Sequence, residues 1–314
     1  MLVAVYSSRL LTSGVKCSLI VWRTMNADEI IRGFETLCLA AMRISGETQD
    51  RPAADWRNPM ASLVFSRIAL NGASILRITP ESRFCSQIAV PELSPEVAAI
   101  QVWDLPSVAA LSRNLAEAYL TLHYLAQPAC PAAEAAFRQK VWFYHEACER
   151  LQMLQCAVPD SPSVPVLEQE VARQRQGVEQ DAGFHQLVEG RRRKVANGKL
   201  AKLLTNEELC LSAGVNPSYY NSMFKYGSNH THSSPFSYAQ MDAFSATDGN
   251  ARKVFQLALQ TSAGFTALAI RDYTRLFPDQ ALPAKSRERE LVELWEGILK
   301  WDINAVGSKS PGAS

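Results

Sequence analysis

Apolar residues along this chain recur at three- and four-residue intervals almost throughout, and the strict alternation of a strand is nearly absent. The pattern predicts an all-α protein. The first periodic stretch, residues 26–44, sets Ile30, Phe34, Leu37 and Met42 on one side, and a second runs from about Pro59 to Ile78 after a break at 50–59. Residues Pro80 to Trp103, with Pro91 and Pro95 among them, read as a short strand pair or a long connection. Asp104 and Pro106 then open a helix in which Val108, Leu111, Leu115, Tyr119, Leu122 and Leu125 keep the helical spacing almost without a fault. Pro131 opens the next, with Phe137, Val141, Tyr144, Cys148 and Leu151 on its apolar stripe. Only a Pro-Ala-Cys-Pro turn joins the two, so they are expected to form the central antiparallel hairpin of a helical bundle.

Farther along, prolines and serines at 159–165 suggest a linker before a polar helix from Glu168 to Asp181. Gly214 ends a short helix, and Asn216 followed by Pro217 reads as an N-cap with proline at the first helical position. Ser234 and Pro235 repeat that signal, which makes the segment around His230-Thr-His232 an expected loop between two helices. Asp248-Gly249 reads as a turn. Residues 254–270 carry no charge between Lys253 and Arg271; Gln256, Gln260, Thr261, Ser262 and Gly264 dilute the run and favour a buried central helix over a membrane span. Ser286 to Trp301 reads as an amphipathic lid. Residues 1–24 lack periodicity and precede a better start at Met25, so they are expected to be an extension. The tail 305–314 is expected to be disordered, leaving 25–304 as one domain.

Composition narrows the partners. Thirty-two basic and 31 acidic side chains leave a net charge near +1, so any nucleic-acid partner must be met by a local patch, and no membrane partner is expected. The densest basic cluster, Arg191, Arg192, Arg193 and Lys194, suits phosphate contacts, although no stacking aromatics are interleaved with it. The seven cysteines are scattered and include no Cys-x-x-Cys pair, which fits free thiols in a reducing, cytoplasmic setting and argues against a zinc ribbon.

Candidate chemistry gathers in two places. On the Pro131 helix, Arg138, Trp142, His145 and Glu149 share one face, where His145 and Glu149 suit either an acid/base pair or two metal ligands. A polar stripe between helices is the simpler reading, and no metal or cofactor is expected. Arg113, Glu117 and Thr121 form a ridge on the Asp104 helix, and His123 beside its apolar face reads either as a hydrogen-bonded core histidine or, beside His145 of the hairpin partner, as part of a polar cluster. The second place is the segment after Asn216. There Lys225 followed by His230 has the spacing of a ribonuclease motif in which a cation stabilises the phosphorane while a histidine moves the proton. Gly227 is a potential break between them.

Two segments also carry a resemblance. Asp104-Leu-Pro-Ser-Val-Ala-Ala-Leu-Ser-Arg-Asn-Leu-Ala-Glu-Ala, and Tyr219-Tyr-Asn-Ser-Met-Phe-Lys-Tyr-Gly-Ser228 leading to His232, resemble a bacterial family of all-helical proteins without an assigned activity. That family pairs an Arg-x-Leu-x-Glu helix with a later Tyr and Ser-x-x-x-His signature, and the likeness covers residues 100–240. It implies Arg113, Glu117, Tyr220, Ser228 and His232 as site positions. Its helical layout is similar to that of the HEPN ribonucleases and nucleotide-binding proteins, with Lys225 where their arginine stands. The expected function is a soluble binding or regulatory protein, with RNA or protein as partner and a polar pocket gathering Arg113, Glu117, His145, Glu149 and His232. A metal-independent HEPN-like ribonuclease is the enzymatic alternative, and a histidine and carboxylate metal enzyme the third.

Overall fold

The computed structural model describes residues 26–52, 55–85, 103–127, 130–243 and 249–300; the leading segment, the tail and most of the Pro80–Trp103 stretch lie outside them. The described elements are all helical, as the periodicity predicts: α1 (Ala27–Thr48), α2 (Arg57–Arg77), α3 (Leu105–Ala126), α4 (Ala132–Ala157), α5 (Ser163–Glu179), α6 (Ala182–Gln186), α7 (Glu189–Ala196), α8 (Asn206–Ala213), α9 (Pro217–Thr231), α10 (Pro235–Ala243), α11 (Gly249–Leu276) and α12 (Arg287–Lys300), with a 3-10 turn at Pro278–Gln280. Local sequence sets several of the ends. Asn26 and Glu29 close a reciprocal capping box on α1 at 2.9 Å each way. Gly214, at φ 73°, lets the chain leave α8 through the left-handed region. Pro165 falls in the first turn of α5, where its missing N–H is tolerated, so the expected linker shrinks to the residues before Ser163.

Where the sequence suggested one domain, the chain groups into two compact units: α1–α3 with α8–α12, and Gln127–Thr205 carrying α4–α7. In the larger unit α11 packs against α1, α2, α3 and α12, and α3 also packs against α2, α8 and α9. Every residue of α11 from Ala258 to Ile270 is buried, which confirms the uncharged run as a central helix. Thr261 and Ser262 each donate to the carbonyl four residues back, at 2.8 Å, whereas the buried Thr266 hydroxyl has no partner. Gly264 leaves the space that Leu299 fills, since a Cβ there would stand 2.8 Å from its methyl group. α12 buries Leu291, Val292, Trp295 and Leu299, so it is a wall of the core and not the expected lid. Met42 of α1 is exposed rather than on the buried side. The one helix among the described residues with the length and apolarity to cross a membrane is α2, which packs against α1, α3 and α11.

In the smaller unit α4 and α5 are antiparallel, as two bonds show: Lys140 Nζ toward the start of α4 reaches Asp181, just past the end of α5, at 2.7 Å, and Gln155 Nε2 near the end of α4 reaches Glu168 near the start of α5 at 3.0 Å. Phe137, Val141, Tyr144, Val178, Phe184, Val195 and Leu203 form its core. The expected hairpin is therefore reassigned: α3 belongs to the larger unit, and the helix that α4 packs on here is α5.

Candidate functional site

Asn216 caps α9 as expected, its side-chain oxygen accepting from the backbone N–H groups of Ser218 and Tyr219 at 2.9 and 3.2 Å. The helix then runs farther than expected. His230 and Thr231 are helical and His232 is the C-cap, so the anticipated histidine loop is the last turn of α9. Gly227 does not break the helix. A Cβ there would meet the Arg113 Cβ at 2.6 Å and the Ala109 carbonyl oxygen at 2.7 Å, so glycine allows α9 to close on α3.

That close approach builds a polar seam. Arg113 Nε donates to Ser228 Oγ at 3.0 Å, Nη1 donates to Asn114 Oδ1 at 3.0 Å, and the Glu117 carboxylate lies 3.3 Å from Nη1. The guanidinium also stands 4.4 Å from the Phe224 ring centre, a cation–π contact. Tyr220 is buried nearby; burial, then the charge of Glu117, push its phenol pKa up. Four of the five positions implied by the family resemblance thus come together. The seam is nevertheless packed: the cavity beside Arg113, Ala116, Met223, Tyr226 and Thr261 measures about 10 Å³, room for one water. The expected inter-helix ligand pocket is not formed there.

On its outer surface α9 presents a stripe. At about 100° per residue, Ser218, Asn221, Ser222, Lys225 and His232 fall on one face, and all five are exposed. Lys225 and His230 stand about 140° apart on the same wheel, so their expected pairing is not made. Lys225 and His232, seven residues apart, share the outer face. His230 is only 6% exposed, neither ring nitrogen has a hydrogen-bond partner, and burial pushes its pKa down. Its ring packs edge-on to Tyr226 at 4.9 Å between centres.

Tyr226 leads to α10, its hydroxyl donating to Gln240 at 3.1 Å and its ring meeting Phe236 at 6.2 Å. α10 leaves Phe236, Tyr238 and Met241 exposed. No Asp or Glu occurs from residue 209 to 241, where an even spread of 31 acidic residues over 314 would place about three. From Ser218 to Met241 the exposed positions of α9 and α10 therefore combine a cation, a histidine, amides, hydroxyls and aromatic rings, and the first acidic residue after them is Asp242.

The smaller unit holds the other expected residues. His145 Nδ1 lies 2.7 Å from the Gly198 carbonyl, Arg138 pairs with Glu134 and donates to Gln127, and Glu149 is exposed. The five-residue convergence is thus divided between the two units. Arg191, Arg192, Arg193 and Lys194 lie in α7 and not in a loop; Arg192 pairs with Glu189, while Arg193 and Lys194 are exposed. No cluster of His, Cys, Asp or Glu suited to a metal occurs among the described residues.

Sequence reasoning placed His123 correctly as a buried, hydrogen-bonded histidine and missed its partners. Nδ1 lies 2.8 Å from Asp272 Oδ2 and Nε2 2.9 Å from Ser212 Oγ, joining α3, α11 and α8. Burial alone would raise the Asp272 pKa; the hydrogen bonds and charges of His123 and Arg271 outweigh it and hold it at about 2. The linear signal was the Arg271-Asp272 pair that follows the long uncharged run. No family model, curated protein or solved structure matches the chain.

Proposed function

We propose that this chain is a helical binding protein that recognises single-stranded RNA across the outer face of α9 and α10. The carrying observation is a stretch without Asp or Glu, residues 209–241, in which Lys225, His232, Phe236 and Tyr238 are all exposed. Cations neutralise phosphates and aromatic rings stack on unpaired bases, a combination suited to single strands. Arg113, fixed by Ser228 and Phe224, holds α9 against α3 and keeps the stripe rigid. The likeness to the bacterial helical family with a HEPN-type layout supports the reading. The six described cysteines, all unpaired, support a cytoplasmic setting.

The test is fluorescence anisotropy with a labelled single-stranded RNA oligonucleotide over a salt series. Tyr238→Ala should weaken binding by about 1–3 kcal/mol. Lys225→Ala should weaken it and lower the salt slope by about one ion. Equal affinity of all variants would move RNA binding elsewhere, and no binding by the full chain would end the reading. A metal-independent ribonuclease is the second reading, favoured by Lys225 and His232 sharing one exposed face. Cleavage of the same RNA in chelator, lost in His232→Ala with binding kept, is its signature.

A further inference from the structure

Away from the α9 stripe, the larger unit contains three side chains in a nucleophile, base and carboxylate arrangement. Asp272 is fully buried and its two oxygens accept four hydrogen bonds or ion pairs: Oδ2 from His123 at 2.8 Å and Tyr119 Oη at 3.0 Å, Oδ1 from Arg271 at 2.8 Å and Arg275 at 3.0 Å. An ionised carboxylate only accepts, so Nδ1 of His123 carries a proton and Nε2 of the neutral ring is left as the acceptor. Nε2 points at Ser212 Oγ, 2.9 Å away. His123 is buried, whereas Ser212 is exposed, in the last turn of α8. The Ser212 hydroxyl also lies 3.0 Å from the Leu209 carbonyl. The hydroxyl proton can be given to the helix carbonyl or to the imidazole, and the second arrangement prepares it for transfer.

We propose that Ser212 is the nucleophile and His123 the general base of an acyl-ester hydrolase site, with Asp272 as the residue that positions the imidazole. The geometry matches the role-based definition of such a triad, which recurs on unrelated folds. Ser212 Oγ forms a bond to the ester carbonyl carbon as its proton passes to His123 Nε2. Collapse of the tetrahedral adduct breaks the bond to the leaving oxygen, which takes that proton and departs as an alcohol. Water then attacks the acyl-enzyme, gives a proton to Nε2, and releases the carboxylic acid with Ser212 restored. Arg271 Nη2, 3.4 Å from the carbonyl of the adjacent Ala213, brings a positive charge to the neighbourhood of the developing oxyanion. Leu211, 64% exposed beside the nucleophile, favours an ester with an apolar acyl chain.

The full chain is treated with a fluorophosphonate probe and, separately, with p-nitrophenyl butyrate. A single phosphonyl adduct on the Ser212 peptide is expected, and Ser212→Ala should lose both the adduct and at least about tenfold of the ester turnover. Ser212→Cys gives an independent reading. The introduced thiol, paired with His123, should react with iodoacetamide at about pH 6 roughly tenfold faster than exposed Cys156 in the same molecule. Adding Asp272→Asn should remove that advantage in protein that melts cooperatively, which a purely structural carboxylate would not do. An unlabelled Ser212 together with an introduced thiol no faster than Cys156 overturns the proposal and leaves the trio as a structural brace.

Discussion

The two units bury their helices in different ways. In the smaller one, four helices turn one face each onto Phe137, Val141, Tyr144, Val178 and their neighbours, and the charged side chains pair along the outside, as Arg175 does with Glu179. In the larger, α11 is buried through Ala258–Ile270 on all sides and then meets a carboxylate with two arginines and a histidine. A helix with one wet face can send its polar groups to water. A helix surrounded by others has no such outlet, and in α11 back-bonds and bonds from neighbouring helices satisfy Thr261, Ser262 and Asp272, while Thr266 is left without a partner.

Mutations should separate the two kinds of core. Asp272→Asn leaves Arg271 without its buried counter-charge and should cost the larger unit about 3–5 kcal/mol. Phe137→Ala should cost the smaller unit a similar 3–5 kcal/mol through a cavity. Calorimetry should show each variant lowering a different transition; if both lower one shared transition equally, the two units fold as a single cooperative body.

Acid should act most strongly on the larger unit, where the paired carboxylate of Asp272 is fully buried. The Asp272 carboxyl, held at about 2 when folded, has an unfolded value of about 3.9, so the unfolded chain takes up the proton first. Its contribution is complete above about pH 4 and is lost as pH falls from there to about 2, roughly 2–3 kcal/mol in all. Denaturation at stepped pH should show this loss in the native protein and its absence in Asp272→Asn. An unchanged acid slope in that variant would assign the loss to other carboxylates, such as buried Glu35, which Arg83 and Arg32 hold ionised.

The smallest expected effect probes the α3–α9 closure. Gly227→Ala gains helix propensity of about 1 kcal/mol yet pushes a methyl group onto the Ala109 carbonyl and the Arg113 stem, for a net loss of about 1–2 kcal/mol. Lys199→Ala, on an exposed side chain of the smaller unit, should stay within about 0.5 kcal/mol and serves as its control. A stabilised Gly227→Ala protein would mean that α9 can step away from α3 without penalty.

Periodicity and capping carried the secondary structure. The spacing of Val108, Leu115, Tyr119 and Leu122, the Asn216-Pro217 start and the uncharged 254–270 run each named a helix that the structure contains, because these signals act within a few residues of one another. The extent of α9 was misread: glycine and a His-Thr-His segment suggest a loop, but packing on α3 needs the missing Cβ of Gly227 and rewards a continued helix. Arg113 and Ser228 were legible as candidates through the resemblance, while their 3.0 Å bond depends on two helices more than a hundred residues apart. Which helix pairs with α4, which face of α9 meets water, and the meeting of His123, Ser212 and Asp272 were settled by tertiary structure alone. Local sequence fixes a side chain's direction on its own helix, whereas these relations depend on how separate helices dock to bury apolar surface while leaving their polar atoms bonded.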